Sequence, residues 1–225
     1  MNRGAPPKKR TFHEAGRTLT LHDRGTHHEL MIGHVPILTS AALGTEREFG
    51  NLAGRLAVRD APRVLVGGLG FGSTLAGVLE SVGSEARVFV VEKLATVVRL
   101  VRGELAHLAG GVLDDPRVTL VRDDAVTVIA SERDLDVILL DVDNGPEWAS
   151  FESNARLYDR AGLAAARASL VAGGSYAVWS GYPADAFLDR IRAASLTPSL
   201  VTFREHGRIQ ARAYVGTKPA PASVR

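Results

Sequence analysis

Three glycines at alternate positions, Gly68, Gly70 and Gly72, stand in GGLGFGST (67–74), where an apolar run gives way to a helical pattern. Without Cβ atoms the backbone turns tightly and can approach a ligand, and the N-terminus of the following helix favours negative groups. Glu92 closes the next apolar run, RVFVVE (87–92), twenty residues beyond Gly72. A carboxylate at that point can accept hydrogen bonds from both ribose hydroxyls of a nucleoside seated on the glycine turn. Asp124, in DDAV (123–126) with Ala125 beside it, ends a third run. It can accept from an exocyclic amine such as adenine N6 or cap the helix that starts there, and the residues leave both readings open. Asp141, Asp143 and Asn144 close a fourth run in LDVILLDVDNGP (135–146). Asp, Asn, Gly and Pro are turn formers, yet two acids at the ligand edge of a sheet are costly to bring together without a cation.

Other chemistries find less support. A dinucleotide fingerprint needs a third glycine where Ser73 stands, and no Gly-Lys-Ser/Thr follows to make a phosphate loop. No Gly-x-Ser-x-Gly elbow supports a hydrolase triad. The absence of cysteine removes thiolate metal sites and cysteine nucleophiles. His27, His28 and His34 lack ligand spacing, so no metal is expected.

The elements that position the acids follow from apolar spacing. Strand patterns at 64–68, 87–92, 117–124, 135–143 and 174–180 alternate with helical patterns at 73–81, 95–109, 125–131, 157–170 and 184–194. Runs at 199–205 and 208–217, split by His206 and Gly207, read as a terminal antiparallel pair. This alternation predicts an α/β fold with a mainly parallel, seven-stranded sheet and right-handed crossovers. Ahead of it, TLTLH (18–22) and HELMI (28–32) flank a turn and read as a hairpin. TEREFGNLAGRLAV (45–58) reads as a helix capped by Thr45, with Glu46 and Glu48 complementing its dipole. The predicted organisation is a flexible basic leader at 1–17, a hairpin–helix module at 18–60, a nucleoside-binding domain at 61–217 and a flexible tail at 218–225.

At 225 residues, 45% hydrophobic and 23% charged, the chain has the composition of one globular domain. Its 27 basic and 25 acidic residues are spread along the sequence, and Lys8, Lys9 and Arg10 form the one dense basic cluster. That pattern argues against a nucleic-acid partner. No apolar run reaches the roughly 18 residues of a membrane span, and the N-terminus lacks the apolar core of a secretory signal. With no cysteine, a cytoplasmic location is expected.

Taken together, VLVGGLGFGSTL, VVEK, LDDPRVTLVRDDA, DVILLDVDNGP and LYDRAGLAAARASLVAGGSYAVWS resemble the spermidine synthase-like branch of the class I S-adenosylmethionine-dependent methyltransferase fold. The resemblance runs from Val64 to Ser180, and HHELMIGHVP (27–36) is similar to the His-Glu segment before the core in polyamine synthases. It implies that Glu92 binds the ribose, that Asp124 takes the adenine amine, and that Asp141 orients and deprotonates an attacking amine with Asp143 assisting. It implies no metal, and a homodimer is compatible with it. Trp148 and Tyr182, in loops after the fourth and fifth strands, are expected with Asn144 on the acceptor side, whereas Tyr158 and Trp179 read as core.

The sequence departs from the polyamine synthase pattern at the glycine turn. Phe71 stands where those enzymes place an aspartate facing the aminopropyl amine of decarboxylated S-adenosylmethionine. The acceptor loop is shortened to DVDNGP. These changes tilt the expectation toward methyl transfer from S-adenosylmethionine to a small amine. A true aminopropyltransferase using decarboxylated S-adenosylmethionine is the first alternative, and a non-catalytic nucleoside-binding partner subunit the second.

Overall fold

The computed structural model describes residues 8–41, 43–148 and 152–220. The chain opens with four antiparallel strands in sequential order: β1 (Lys8–Glu14), β2 (Arg17–Asp23), β3 (His28–Ile32) and β4 (Val35–Thr39). Alternation explains them. Leu19 and Leu21 of β2 are buried between half-exposed neighbours, and Leu21 pairs with Leu30 of β3. The expected hairpin is therefore the middle of a four-stranded sheet. Residues 8–14, read as flexible leader, form its first strand. Glu14 ties that strand down by accepting from the Ala95 and Thr96 N–H groups at 2.5 and 2.8 Å.

Helix α1 (Gly44–Leu56) follows. Thr45 does not cap it: Leu43 holds the cap position and Thr45 is buried within the first turn. The alternating core then runs β5 (Arg63–Gly67), α2 (Ser73–Ser81), β6 (Arg87–Val91), α3 (Ala95–Arg102), β7 (Val118–Val121), α4 (Ala125–Ser131), β8 (Leu135–Leu140), α5 (Arg160–Ser169), β9 (Leu170–Ser180), α6 (Ala186–Ala193), β10 (Thr197–Glu205) and β11 (Arg208–Thr217). α3 is shorter than expected because the backbone leaves helical geometry at Gly103, and a 3-10 turn occupies 106–108. β9 starts four residues earlier than the sequence suggests. Lys218, read as tail, exchanges backbone hydrogen bonds with Gly173 and Gly174.

The seven strands lie in the order β10-β11-β9-β8-β5-β6-β7. The pairs linking β9, β8, β5, β6 and β7 are parallel, while β11 runs antiparallel between β9 and β10. All six residues of β8 are buried, as a central strand covered on both faces requires. From β5 the chain moves outward through β6 to β7, then returns to the other side of β5 as β8. Ligands of open α/β sheets bind at such a switch, outside the carboxyl ends of the strands.

α1 lies against α2 at backbone contact. A Cβ on Gly50 would fall 2.1 Å from the Thr74 carbonyl oxygen, and one on Gly77 would fall 2.1 Å from that of Arg47. This close approach brings the first turn of α1 to the carboxyl edge of β8.

Candidate active site

The carboxyl ends of β5 to β8 enclose a cleft of about 600 Å³, with Ile37 and Leu38 of β4 across it. Glu92 sits just past β6. Its Oε1 accepts from the Leu94 N–H at 2.7 Å and its Oε2 from the Leu69 N–H at 3.2 Å. Burial raises its pKa against those donors. Each oxygen keeps a second lone pair, which suits a vicinal diol. Asp124 caps α4 by accepting from the Val126 N–H at 2.9 Å and also lines the cleft, as does Ala125. The two readings of Asp124 thus coexist. Gly68 (φ +90°) and Gly70 line the cleft beside Glu92. A Cβ on Gly68 would lie 2.2 Å from the Asp141 carbonyl oxygen, so glycine lets this turn rest on the end of β8. Acids interspersed with the apolar Val91, Leu94 and Val97 fit an adenosine-type nucleoside.

A second groove of about 980 Å³ shares Ile37, Leu38, Asp141 and Val142 with the first. Asp141 is therefore the junction. Its Oδ2 accepts from the Thr74 hydroxyl at 2.5 Å. Burial pushes its pKa up, the Thr74 bond opposes this and the charge of Asp143 adds to it, leaving Asp141 at about 6. Glu46, from α1, lines the same groove. Burial and then the charge of Asp141 push it to about 9. Asp143 is braced: it accepts from Asn154 Nδ2 at 3.1 Å and from the Tyr158 hydroxyl at 3.0 Å. Asn154 in turn accepts from Lys93 Nζ at 3.0 Å, linking the first cleft to the second groove. Four carboxylates, from Glu46, Asp141, Asp143 and Glu205, line the groove, and no Lys, Arg or His is among its described lining residues.

A curated protein of Pseudomonas aeruginosa, polyamine aminopropyltransferase 1, is 34% identical over 135 residues, which make up 59% of this chain and 40% of that protein. The match thus spans less than half the length of that relative. A spermidine synthase in complex with the transition-state analogue AdoDATO superposes with a TM-score of 0.73 over 94% of this chain and 72% of that one, at 16% identity. The spermidine synthase of Thermotoga maritima gives 0.74 over 94% and 73%, also at 16% identity. The fold is spermidine synthase-like. No protein-family model matches the chain.

Within this spermidine synthase-like fold, Gly68, Gly70, Glu92, Asp124, Ala125, Asp141, Asp143 and Asn144 line the two clefts. Phe71 and Gly72 do not. Phe71 is 2% exposed and belongs to the core cluster that holds Leu69, Val101 and Leu105. Gly72 caps α2 at φ +90°, where a Cβ would strike Ala109 at 2.7 Å. Trp148 and Tyr182 are 64% and 53% exposed and stack on each other 5.8 Å apart, away from both clefts. Gly145 (φ +125°) packs closely on Ser180, where a Cβ would fall 2.1 Å from the hydroxyl oxygen. Trp179, read as core, packs half-buried against the core cluster and also lines the second groove, and its buried indole N–H lacks a partner among the described residues. His28 and Glu29 lie on β3 and line neither cleft; the N-terminal sheet contributes Pro36 to Thr39 of β4 instead. Glu46 and Thr74 are the residues that sequence reasoning missed. The available signal was the glycine spacing of Gly50, Gly54 and Gly77, which marks helices in backbone contact.

Among the described residues, no helix is long and apolar enough to cross a membrane. Nor do three or more His, Asp or Glu gather there in a group that could hold a metal ion.

Proposed function

We propose that the chain is an aminopropyltransferase, moving the aminopropyl group of decarboxylated S-adenosylmethionine to the nitrogen of a small amine. The observation that carries this reading is the charge at the junction of the two clefts. A donor seated by its nucleoside at Glu92 brings its tail toward Asp141, the acid that both clefts share among their described lining residues. A carboxylate on that tail is repelled there; a lone ammonium meets its counter-ion. The expectation of methyl transfer leaned in part on Phe71 facing the donor amine, and Phe71 is turned into the core. The 34% identical relative named polyamine aminopropyltransferase supports the same reading.

A sulfonium donor supplies an electrophilic carbon and a neutral thioether leaving group. The attacking nitrogen forms its bond to that carbon as the carbon–sulfur bond breaks and its electron pair moves to sulfur. An amine that arrives as an ammonium gives up one proton before it attacks, and the nitrogen takes on positive charge as the new bond forms. Asp141 is the catalytic residue placed to orient the amine and receive that proton, while Thr74 holds its carboxylate in position. Asp143, braced by Tyr158 and Asn154, adds negative charge where the amine develops positive charge. Glu92, Asp124 and the backbone at Gly68 and Gly70 hold the nucleoside.

Calorimetry with both cofactor forms tests the proposal, followed by turnover with 1,4-diaminobutane. Tighter binding of the decarboxylated form and release of 5′-methylthioadenosine are expected. Preference for S-adenosylmethionine overturns the aminopropyl reading in favour of methyl transfer. Asp141→Asn should lower turnover about 100-fold or more, the scale of a lost general base. Unchanged turnover would remove Asp141 from the chemistry.

A further inference from the structure

We infer that Glu46 is the residue that selects a cationic acceptor, closing with Asp141 around one ammonium group in the groove. The inference rests on the transferase reading above and adds to it a residue from α1, outside the glycine-turn and strand-end motifs. Glu46 lines the acceptor groove and not the nucleoside cleft, whereas Asp141 lines both. Their placement is fixed rather than incidental. The Thr74 hydroxyl lies 2.5 Å from Asp141 Oδ2 and 3.2 Å from the Glu46 carbonyl oxygen, and Gly50 and Gly77 allow no slack between the two helices. The turn after β5 offers no acid to this groove, since Phe71 faces the core. The second carboxylate arrives from α1 instead.

The charged groups facing Glu46 across the groove are Asp141 and Asp143 from the end of β8 and Glu205 from the end of β10. On the neighbouring helix α2, Glu80 is paired with Arg47. Every group facing Glu46 is therefore an acid, and burial with mutual repulsion makes the Glu46–Asp141 pair retain one proton at neutral pH. An ammonium entering between the two carboxyls takes over the role of that proton, which leaves to solvent. Amine binding then strengthens as pH rises from about 6 to 9, and falls only when the amine itself loses its charge.

The test titrates 1,4-diaminobutane into protein saturated with 5′-methylthioadenosine, in two buffers of different ionisation enthalpy at pH 7.5. The native chain should release close to one proton per amine bound. Glu46→Gln, which keeps shape and removes charge, should lose that release and weaken diamine binding about 10- to 100-fold. Its affinity for 5′-methylthioadenosine alone should stay within about twofold, which also reports that the variant is folded. Unaltered diamine affinity and proton release in Glu46→Gln overturn the inference, even while aminopropyl transfer by the native chain stands. Proton-linked diamine binding without aminopropyl transfer keeps the clamp and sinks the transferase reading. The native chain gives an independent check, because diamine affinity that is flat between pH 6 and 9 also overturns the inference.

Discussion

The Thr74 hydroxyl donates to Asp141 Oδ2 at 2.5 Å, tying the first turn of α2 to the acid at the end of β8. This bond favours the ionised carboxylate, working against the burial that lifts Asp141 to about 6. Thr74→Val keeps the β-branched shape and removes the bond. The Asp141 pKa should then rise by about one unit, so the base form is lost at a higher pH than in the native chain. The acid limb of the pH–rate profile should move by that amount toward alkaline pH, with activity recovering above pH 8. An unmoved limb would show that Thr74 does not act through Asp141.

Phe71 stands in the turn yet packs inside. Phe71→Leu should cost about 1–2 kcal/mol of stability by thinning the core, measured by denaturant unfolding. Affinity for either cofactor form should stay within about twofold. A large, selective loss for one form would return Phe71 to the donor site.

Gly50→Ala sets a methyl group 2.1 Å from the Thr74 carbonyl oxygen. Overpacking against backbone should destabilise the protein by about 2–3 kcal/mol. Gly83→Ala is the control, with its nearest neighbour at 3.9 Å and no positive φ, and should change stability by less than about 0.5 kcal/mol. Equal thermal midpoints for the two variants would refute the close contact of α1 and α2.

Asp136 lies at the opposite end of β8 from the site and is fully buried. Burial pushes its pKa up, but the Arg59 side chain and the Arg63 and Arg59 N–H groups more than offset this, and it is lowered overall. A carboxylate lowered in the folded state contributes stability above its unfolded value near 4, lost as pH falls through the folded value. Asp136→Asn should cost about 2 kcal/mol at pH 7, less than a sealed ion pair because Arg59 is partly solvated. The gap in thermal midpoint between native and variant chains should narrow as pH falls below 4. A gap independent of pH would place the effect in packing instead of charge.

Local rules made much of the architecture legible. The runs at 64–68, 87–92 and 135–143 became β5, β6 and the fully buried β8, because a buried parallel strand needs an unbroken apolar stretch. Glu92, Asp124 and Asp141 were read as ends of strands, and strand ends converge on one edge of a parallel sheet. The loop aromatics were not legible in this way. Where Trp148 ends depends on how the loops after β8 and β9 meet, and its ring packs against Tyr182, 34 residues away in sequence. β1 was hidden too, since a half-exposed edge strand of Lys, Arg and Thr carries little apolar signal.

The sequence by itself determined the α/β class, the mainly parallel sheet and the acids at its strand ends, because strand periodicity and turn chemistry are written in consecutive residues. Only the tertiary structure decided that Phe71 faces inward and that Glu46 stands beside Asp141. The place of Glu46 hangs on the backbone contact of α1 with α2 through Gly50 and Gly77, a distance between segments that no local pattern encodes. Glu46 and Glu48 look alike in sequence; helix packing turns Glu46 toward the groove and leaves Glu48 exposed.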